Sequence, residues 1–252
     1  MLKVLGIAPL LIAYVLVAGV LVILPAGARL RRTFQINTSS FFSRLVLVLL
    51  GIHVHAKHCE RLWTSDGSLL IVANHVSYID VLVLASLAPS VFVTSKELGG
   101  TIFLGMLARL GGSMFVERRK ASGLKHEIAM IARVLEAGFP VALFPEGTTS
   151  NGERIQPFKK SLFDAAVKAG ADILPVCLRY TRVNGARITA ANRDAVFYYG
   201  GTTFFQHFLR LLSLTTVEVE VTPLKLIRAQ DIGSRKECAA QAHGAISAAY
   251  HR

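Results

Sequence analysis

The sequence predicts an α/β fold with a mixed, largely parallel sheet flanked by helices. From about Ser68 onward, short runs rich in β-branched and aromatic residues alternate with longer segments of helical periodicity. Alternation of this kind is typical of parallel strands that are connected by helices. A long apolar stretch precedes the pattern, and it predicts an N-terminal membrane helix outside the sheet.

Residues 1–32 form a predicted membrane anchor. Residues 4–24 carry no charge, and about 21 residues of helix are enough to cross the hydrocarbon core of a bilayer. Three arginines between positions 29 and 32 follow this stretch and favour a cytoplasmic location for the chain downstream. A cleaved signal peptide is the alternative, because the tract Pro-Ala-Gly-Ala at 25–28 offers small residues for cleavage.

Residues 33–58 form a predicted interfacial segment. Its apolar run, 41–54, is too short to span a bilayer easily, and it contains Arg44. In an interfacial helix Arg44 would extend to the lipid headgroups, whereas in a buried helix the same run would cover the globular domain. Both interpretations are open. Residues 59–252 are assigned to one globular domain.

The elements of the globular domain follow from periodicity and from helix-end signals. Glycines at 138 and 170 stand where helices would end, and Ser234 with Glu237 forms a capping box for the last helix. The predicted strands are 69–73, 91–94, 113–117, 141–144, 173–179, 196–199 and 217–221. The predicted helices are 78–87, 102–110, 123–137, 162–169, 203–212 and 235–249.

The composition favours a basic protein at a membrane. Hydrophobic residues make up 52% of the 252 positions and charged residues 17%, yet the formal net charge is +12. An apolar and basic chain suits an anionic membrane surface or anionic substrates. Nucleic acid is disfavoured as a partner, since zinc-finger spacing and an aromatic-rich basic stripe are both missing. Three widely separated cysteines predict no disulfide framework and a reducing compartment.

The first chemically informative stretch is residues 74–80, Asn-His-Val-Ser-Tyr-Ile-Asp. It connects a predicted strand to a predicted helix, so His75 is expected at an edge of the sheet, with Ser77 as a helix cap. Asp80 in the first helical turn could accept a hydrogen bond from one imidazole nitrogen and leave the other basic. Because no Gly-x-Ser-x-Gly motif accompanies this pair, the substrate's own hydroxyl is the expected nucleophile. Alone, the pair is weak evidence, and a structural histidine that caps a helix would be the better interpretation.

Two further stretches carry polar groups at predicted strand ends. Residues 144–152, Phe-Pro-Glu-Gly-Thr-Thr-Ser-Asn-Gly, offer a carboxylate, a glycine and three hydroxyls for recognition of a polyol or phosphate. Residues 112–120 end in Arg-Arg-Lys, a pattern that suits a phosphate clamp. Taken singly, each stretch is also typical of an ordinary solvated turn.

Together the stretches resemble the glycerolipid acyltransferase family, best known from 1-acylglycerol-3-phosphate acyltransferases. Residues 74–80 match its N-H-x-x-x-x-D block and 144–150 its F-P-E-G-T-x-S block. Residues 112–118 match the block that ends in a substrate-binding arginine, and 173–176 match the proline-containing block. The order and spacing agree, and the resemblance covers roughly residues 45–225. It implies that 59–252 is the catalytic domain.

The resemblance implies a role for each residue and a set of substrates. His75 would be the general base and Asp80 the carboxylate that orients it. The acceptor site would comprise Asn74, Arg118, Glu146, Gly147, Thr148 and Lys159. An acyl thioester, either acyl-CoA or acyl carrier protein, would be the donor, with neither a metal nor an organic cofactor. The expected acceptor is a lysophospholipid, 1-acyl-sn-glycerol-3-phosphate, and the expected location is the inner (cytoplasmic) membrane with the catalytic domain facing the cytoplasm.

One departure from the family pattern keeps a second acceptor open. Thr149 stands where the family often has arginine, and the sequence around it is similar to a branch that includes lyso-ornithine lipid acyltransferases. A lyso-ornithine lipid is therefore the alternative acceptor.

Two functions from other classes fit the sequence less well. His53, His55 and His58 superficially resemble a metal-hydrolase ligand set, but Lys57 stands where that set has an acidic residue. A non-catalytic basic membrane-binding protein is the more distant alternative, and it would not require the His, Asp, Arg and Glu that the blocks contain.

Overall fold

The structure is a computed structural model that describes residues 2–23, 25–62, 68–117, 121–231 and 233–251. The α-helices of this part of the chain, α1 to α9, are Leu2–Ile23, Ala28–Leu50, Ile79–Leu87, Lys96–Gly99, Ile102–Leu110, Ala121–Glu136, Asp164–Ala169, Phe204–Ser213 and Arg235–Tyr250. The strands, β1 to β8, are Ile52–Ala56, Leu69–Ala73, Val91–Ser95, Met114–Val116, Val141–Leu143, Asp172–Val183, Ala186–Arg187 and Val217–Pro223.

The strands form one mixed, largely parallel sheet in the order β1-β8-β6-β2-β5-β3-β4, and β7 pairs with β6. Among the described strands, β6 pairs in antiparallel fashion with β7 and with β8, and the other pairings are parallel. The central strands β2 and β5 are buried along their whole length, as expected for strands covered by helices on both faces. The predicted sheet is therefore confirmed.

Each face of the sheet carries its own hydrophobic core. On one face, Ile71 and Val219 pack with residues of α3 and α8 such as Val83 and Leu211. On the other face, Leu70 and Val141 pack with residues of α6, α7 and α9, including Ile131, Ala166 and Ala242. Fully burying one Val, Leu or Ile side chain stabilises the fold by about 1.5–3 kcal/mol, so the two cores hold the sheet rigidly beneath its loops.

One predicted strand is wrong. Residues 196–199 follow a 3-10 helix, Arg193–Ala195, and form no strand. Val196 and Phe197 are buried, which explains their apolar character, but they are buried beneath the loops at the edge of the sheet. The backbone N–H of Tyr198 donates to the carbonyl of Val76 rather than to a strand. The apolar pattern at 196–199 therefore predicted the burial of Val196 and Phe197 correctly but the secondary structure of the segment incorrectly.

The last helix begins as the capping box predicts. The side chain of Ser234 accepts a hydrogen bond from the N–H of Glu237. Gly170 ends α7 with a positive φ of 58°, which a residue with a side chain rarely adopts. Strand β1 lies within the predicted interfacial segment, so the sheet begins at residue 52 rather than after residue 59.

The first two helices pack against each other, α2 also packs against α3, and α1 also contacts α5. α2 buries Leu47 and Leu50 toward the core, while Phe41 and Val48 are exposed. The Nε of Arg44 donates to the carbonyl of Ser86 at 2.7 Å, at the end of α3. Among the described residues, no helix is both long enough and apolar enough to cross a membrane. The N-terminal membrane helix and the boundaries at 32 and 58 remain predictions.

Candidate active site

Two parallel strands bring the first and third sequence blocks together. β2 and β5 are neighbours and run in the same direction, so the loops that follow them leave the sheet at one edge. The N–H of His75 donates to Glu146 Oε1 at 2.6 Å, and the N–H of Ser150 donates to the carbonyl of His75 at 3.1 Å. Two loops that are at least 71 positions apart in the sequence therefore form one continuous site.

His75 and Asp80 are hydrogen-bonded in this site. His75 Nδ1 lies 2.9 Å from Asp80 Oδ2, and the imidazole is stacked on Phe144 with ring centroids 4.1 Å apart. The Asp80 side chain is completely buried, whereas 17% of the His75 side chain is exposed. The arrangement directs Nδ1 to the carboxylate, so Nε2 is the ring nitrogen that can receive a proton from a substrate.

Asp80 is also the cap of the loop that carries His75. Its Oδ2 accepts the N–H groups of Val76 at 2.8 Å and Ser77 at 2.9 Å. The predicted cap, Ser77, contributes only a long contact of 3.5 Å from its Oγ to the N–H of Ile79. The carboxylate caps the loop because an ionised carboxylate accepts stronger hydrogen bonds than a hydroxyl oxygen.

Tyr180 supplies a fourth donor to Asp80 and was missed by the sequence analysis. Its hydroxyl donates to Asp80 Oδ1 at 2.7 Å across 100 positions of sequence. Burial, followed by the nearby Asp80 carboxylate, raises the pKa of the Tyr180 hydroxyl well above its ordinary value, so the phenol remains a donor. The only sequence signal was a tyrosine on the apolar face of β6, which is also typical of an ordinary core residue.

Asn74 lies beneath the site and has no exposed surface. Its Nδ2 donates to the carbonyl of Leu178, and its Oδ1 accepts the N–H of Leu178, each at 2.8 Å. Both amide groups are thereby used in joining the end of β2 to β6. This geometry fits a residue that positions the His75 loop, and the place of Asn74 in the acceptor site remains a prediction.

Glu146 is likewise buried, and its carboxylate binds backbone N–H groups of two loops. Its side chain is buried, with Oε1 bound to the N–H of His75 and Oε2 bound to the N–H of Gln156 at 2.8 Å. Burial raises the pKa of Glu146 to about 7, against the two backbone hydrogen bonds, which lower it. Glu146 therefore clamps the His75 loop to the loop before α7, and its charge changes close to neutral pH.

A polar cavity of about 440 Å³ opens beside this clamp. Its lining includes Thr148, Thr149, Lys159 and Tyr199, which provide a cation and three hydroxyls. Gly147 has a positive φ of 76°, and a Cβ there would lie 2.6 Å from Lys159 Nζ. Gly147 thus gives the turn its conformation and leaves room for the lysine. The cavity suits a headgroup that carries an anion and hydrogen-bonding groups.

Arg118 lies outside the described residues. Strand β4 ends at Val116 and runs parallel to β3, so its carboxyl end lies at the same edge of the sheet as that of β3. The clamp role of Arg118 remains a prediction.

The metal-site alternative finds no support in the described part of the chain. Within it, no group of three or more His, Cys, Asp or Glu side chains is close enough to hold a metal ion. His53 and His55 project from the edge strand β1 into exposed positions.

A second feature that the sequence did not reveal is an aromatic cluster against the His75 loop. His207 Nδ1 lies 3.0 Å from the hydroxyl of Tyr78, and the rings of Tyr198 and Phe204 contact Tyr78. Burial lowers the pKa of His207, which keeps its imidazole neutral in this apolar setting. The cluster fixes α8 beside the residues that follow His75.

Comparison with known proteins places these features in a family. The family model described as Acyltransferase matches residues 52–179. A lyso-ornithine lipid O-acyltransferase of Rhizobium meliloti is 36% identical over 71% of this chain, and the chain spans 62% of that relative. A lyso-ornithine lipid O-acyltransferase of Brucella abortus is 32% identical over 77% of this chain and 74% of the relative.

A solved structure shares the fold. The crystal structure of the 1-acyl-sn-glycerophosphate (LPA) acyltransferase PlsC from Thermotoga maritima matches with a TM-score of 0.69 and 19% identity. The match covers all of this chain and 97% of that one.

Proposed function

Because the chain belongs to the acyltransferase family, we propose that it transfers a fatty acyl group from an acyl thioester to the free hydroxyl of a lysolipid. The observation that carries the proposal is the His75–Asp80 pair at the edge of the sheet, with Nδ1 held by the carboxylate and Nε2 directed away from it. The polar cavity beside the pair supplies the acceptor site.

The proposed reaction uses His75 as base and then as acid. Nε2 takes the proton of the lysolipid hydroxyl as its oxygen attacks the thioester carbonyl, and Asp80 stabilises the imidazolium that forms. Collapse of the tetrahedral intermediate breaks the carbon–sulfur bond, and the imidazolium returns the proton to the leaving thiolate. An ester and a thiol result, and no covalent intermediate on the protein is needed. General base catalysis of this kind contributes on the order of 100- to 10,000-fold.

We favour a lyso-ornithine lipid as the acceptor, with 1-acyl-sn-glycerol-3-phosphate second. Thr149 lines the cavity at the position where the family often has arginine, which leaves Lys159 as the described cation of its lining. One ammonium group suits the single carboxylate of a zwitterionic headgroup better than the double charge of a phosphate monoester. The names of the two relatives described above support the same choice.

We further propose that α1, α2 and α5 lie against the cytoplasmic side of the inner membrane. Large apolar side chains are exposed on all three helices, including Leu16 at 63%, Val48 at 77% and Ile102 at 94%. The Tyr14 hydroxyl donates to the carbonyl of Leu107 and joins α1 to α5, so the three helices form one surface. An apolar surface of this extent is rare on proteins that meet only water, and the net charge of +12 would add attraction to anionic lipids.

The proposal is tested by acyl transfer with purified full-length protein in vesicles. Palmitoyl-CoA and palmitoyl-acyl carrier protein are each offered as donor, with lyso-ornithine lipid and with lysophosphatidic acid as acceptors. Wild-type protein should acylate at least one acceptor, and His75→Ala should lose that activity while binding the same vesicles. Turnover by His75→Ala at near the wild-type rate would refute the mechanism.

The acceptor assignment has its own variant. Thr149→Arg should shift preference toward lysophosphatidic acid, since a guanidinium binds a phosphate in bidentate fashion. An unchanged ratio of kcat/KM for lyso-ornithine lipid to kcat/KM for lysophosphatidic acid would show that position 149 does not distinguish the two headgroups.

A further inference from the structure

A second cavity, of about 650 Å³, lies on the other side of the loop that borders the acceptor cavity. It is formed where β6 and β8 extend past the rest of the sheet and where β7 and the end of α9 close over them. We call it the arginine cavity, because its lining includes Arg179, Arg182, Arg187 and Arg193. Its volume falls in the range of roughly 300–1,000 Å³ that is typical of small-molecule sites.

The arginine cavity has an excess of positive charge. Two glutamates also line it, and each forms an ion pair across the two strands: Arg179 with Glu220 at 2.8 Å and Arg182 with Glu218 at 3.8 Å. Arg193 pairs with Glu153, which lies outside the lining, so one arginine of the four, Arg187, has no carboxylate partner among the described residues. A solvated sheet face with balanced pairs would have no such excess.

The two remaining arginines differ in whether an anion can reach them. Arg187 forms no ion pair with any carboxylate that the structure describes. Arg193 pairs with Glu153, whose side chain is 62% exposed, and the Nε of Arg193 is buried with no hydrogen-bond partner among the described residues. Because this Nε has almost no accessible surface, the guanidinium that an anion can reach from solvent is that of Arg187, which is exposed.

One short loop borders the arginine cavity and also contacts the backbone of His75. Asn151 lines both this cavity and the acceptor cavity. Its neighbour Ser150 donates from its N–H to the carbonyl of His75. The arginine cavity therefore borders the same loop that contacts His75.

We propose that the arginine cavity binds the phosphate groups of an acyl-coenzyme A donor. This inference rests on the proposed function, which requires a thioester as well as a lysolipid. In coenzyme A the phosphates lie far from the reacting sulfur, at the end of a flexible pantetheine arm, and planar guanidinium groups bind phosphates in bidentate fashion.

Coenzyme A fits the observations better than an acyl carrier protein. The arginines line a concave cavity rather than a flat surface, and several phosphates can engage several guanidinium groups. The residues that line it include none from α1, α2 or α5, so a water-soluble ligand can approach from a side other than the proposed membrane surface.

The test substitutes Arg187, which is exposed on the short strand β7 and can be changed without opening a core. Arg187→Gln should raise the KM for palmitoyl-CoA about tenfold, the loss expected for one charge-assisted contact, with kcat and the lysolipid KM little changed. Arg187→Lys should give an intermediate KM, because it keeps the charge but not the planar fork. Arg228→Gln is the matched control, since Arg228 pairs with Asp172 at the opposite end of β6 and should leave the donor KM at its wild-type value.

Truncated donors test whether Arg187 binds the phosphate groups of the donor. Palmitoyl-dephospho-CoA and S-palmitoyl pantetheine should have raised KM values with wild-type protein. The effects of Arg187→Gln and of phosphate removal should be non-additive if they act on one contact. An unchanged donor KM in Arg187→Gln, an increase confined to the lysolipid KM, or an increase seen only with palmitoyl-acyl carrier protein would each overturn the assignment.

A binding measurement separates this inference from the proposed function. Calorimetric titration of full-length protein with coenzyme A requires no turnover. Binding that Arg187→Gln weakens about tenfold would support the cavity assignment even if wild-type protein transferred no acyl group. Absence of coenzyme A binding to an enzyme that is active with other donors would refute the cavity assignment and leave the proposed function intact.

Discussion

Replacement of Asp80 by asparagine separates the charge of this residue from its geometry. Oδ2 of Asp80 faces three donors, from His75 and from the N–H groups of Val76 and Ser77, whereas Oδ1 faces only the hydroxyl of Tyr180. In Asp80→Asn the side-chain amide must therefore place its oxygen at the Oδ2 position and its NH2 toward Tyr180. The tyrosine hydroxyl can accept as well as donate, so it can accommodate this change.

The expected effect is a loss of charge without a loss of orientation. The asparagine oxygen still accepts from Nδ1 of His75, so the imidazole keeps its tautomer and its Nε2 remains basic. What is lost is the difference between a hydrogen bond to a charged group, about 1.5–3 kcal/mol, and one between neutral groups, about 0.5–1.5 kcal/mol. A difference of about 1–1.5 kcal/mol in stabilising the imidazolium lowers kcat by roughly 5- to 15-fold.

This expectation differs sharply from that for a serine protease triad. There the same replacement costs roughly 10,000-fold, because it imposes the wrong tautomer on the histidine. Here two backbone N–H groups fix the direction of the amide, which is what prevents that outcome.

The assay compares initial rates of acyl transfer for wild type, Asp80→Asn and His75→Ala at saturating donor and acceptor. Thermal unfolding of each variant serves as the control for folding. Asp80→Ala is the less informative change, since it leaves the buried N–H groups of Val76 and Ser77 unpaired, at about 1–3 kcal/mol each. If Asp80→Asn lost as much activity as His75→Ala while remaining folded, the amide would not be oriented as argued.

Three further predictions concern the surroundings of the base. Tyr180→Phe removes a hydrogen bond to a buried carboxylate and should lower the free energy of unfolding by about 1.5–3 kcal/mol, measured by urea denaturation; a change below about 0.5 kcal/mol would contradict the role given to its hydroxyl. Glu146 should make wild-type stability fall between about pH 4.5 and pH 7, because its pKa rises from 4.5 in the unfolded chain to about 7 in the folded one, and the folded state then retains a proton that the unfolded state has lost. Unfolding curves of Glu146→Gln should lack this decline, and an identical pH profile in both proteins would exclude it. Leu16→Gln should weaken co-sedimentation with anionic vesicles, whereas Val167→Gln, an exposed apolar position on α7, should not; equal binding by both variants would count against the membrane surface.

The local part of the site could be predicted from the sequence. His75 and Asp80 are five positions apart on one strand-to-helix connection, so their contact depends only on the geometry of that connection. The strands and helices around this connection could be predicted from periodicity. The spacing of apolar residues indicates that β2 is buried and that α6 and α8 each have a buried face. The blocks at 74–80 and 144–150 were recognisable as a family pattern, but their mutual placement required β2 and β5 to be neighbours.

The non-local part could not be predicted. The contact between Tyr180 and Asp80 depends on β6 lying next to β2 in a particular register, in which Ala73 pairs with Val176. No local pattern sets that register, and a one-residue shift would turn the tyrosine to the opposite face of the sheet. The failure at 196–199 has the same origin. Val196 is buried by the tertiary packing of a loop, and apolar composition alone does not distinguish that environment from a strand.

The geometry of Asp80 indicates why catalysis and folding are coupled at this position. A carboxylate without solvent is strongly unfavourable unless donors replace the water, and here four hydrogen bonds replace it. Two of those donors belong to the backbone of the loop that carries His75, and the third is the imidazole itself. The hydrogen bonds that stabilise the buried Asp80 carboxylate are thus the same ones that orient the His75 imidazole. When the loop is folded, the imidazole is therefore held in the orientation that the proposed reaction needs. The proposed base is therefore held in place before any substrate binds, so acceptor binding would not have to supply the free energy of ordering it.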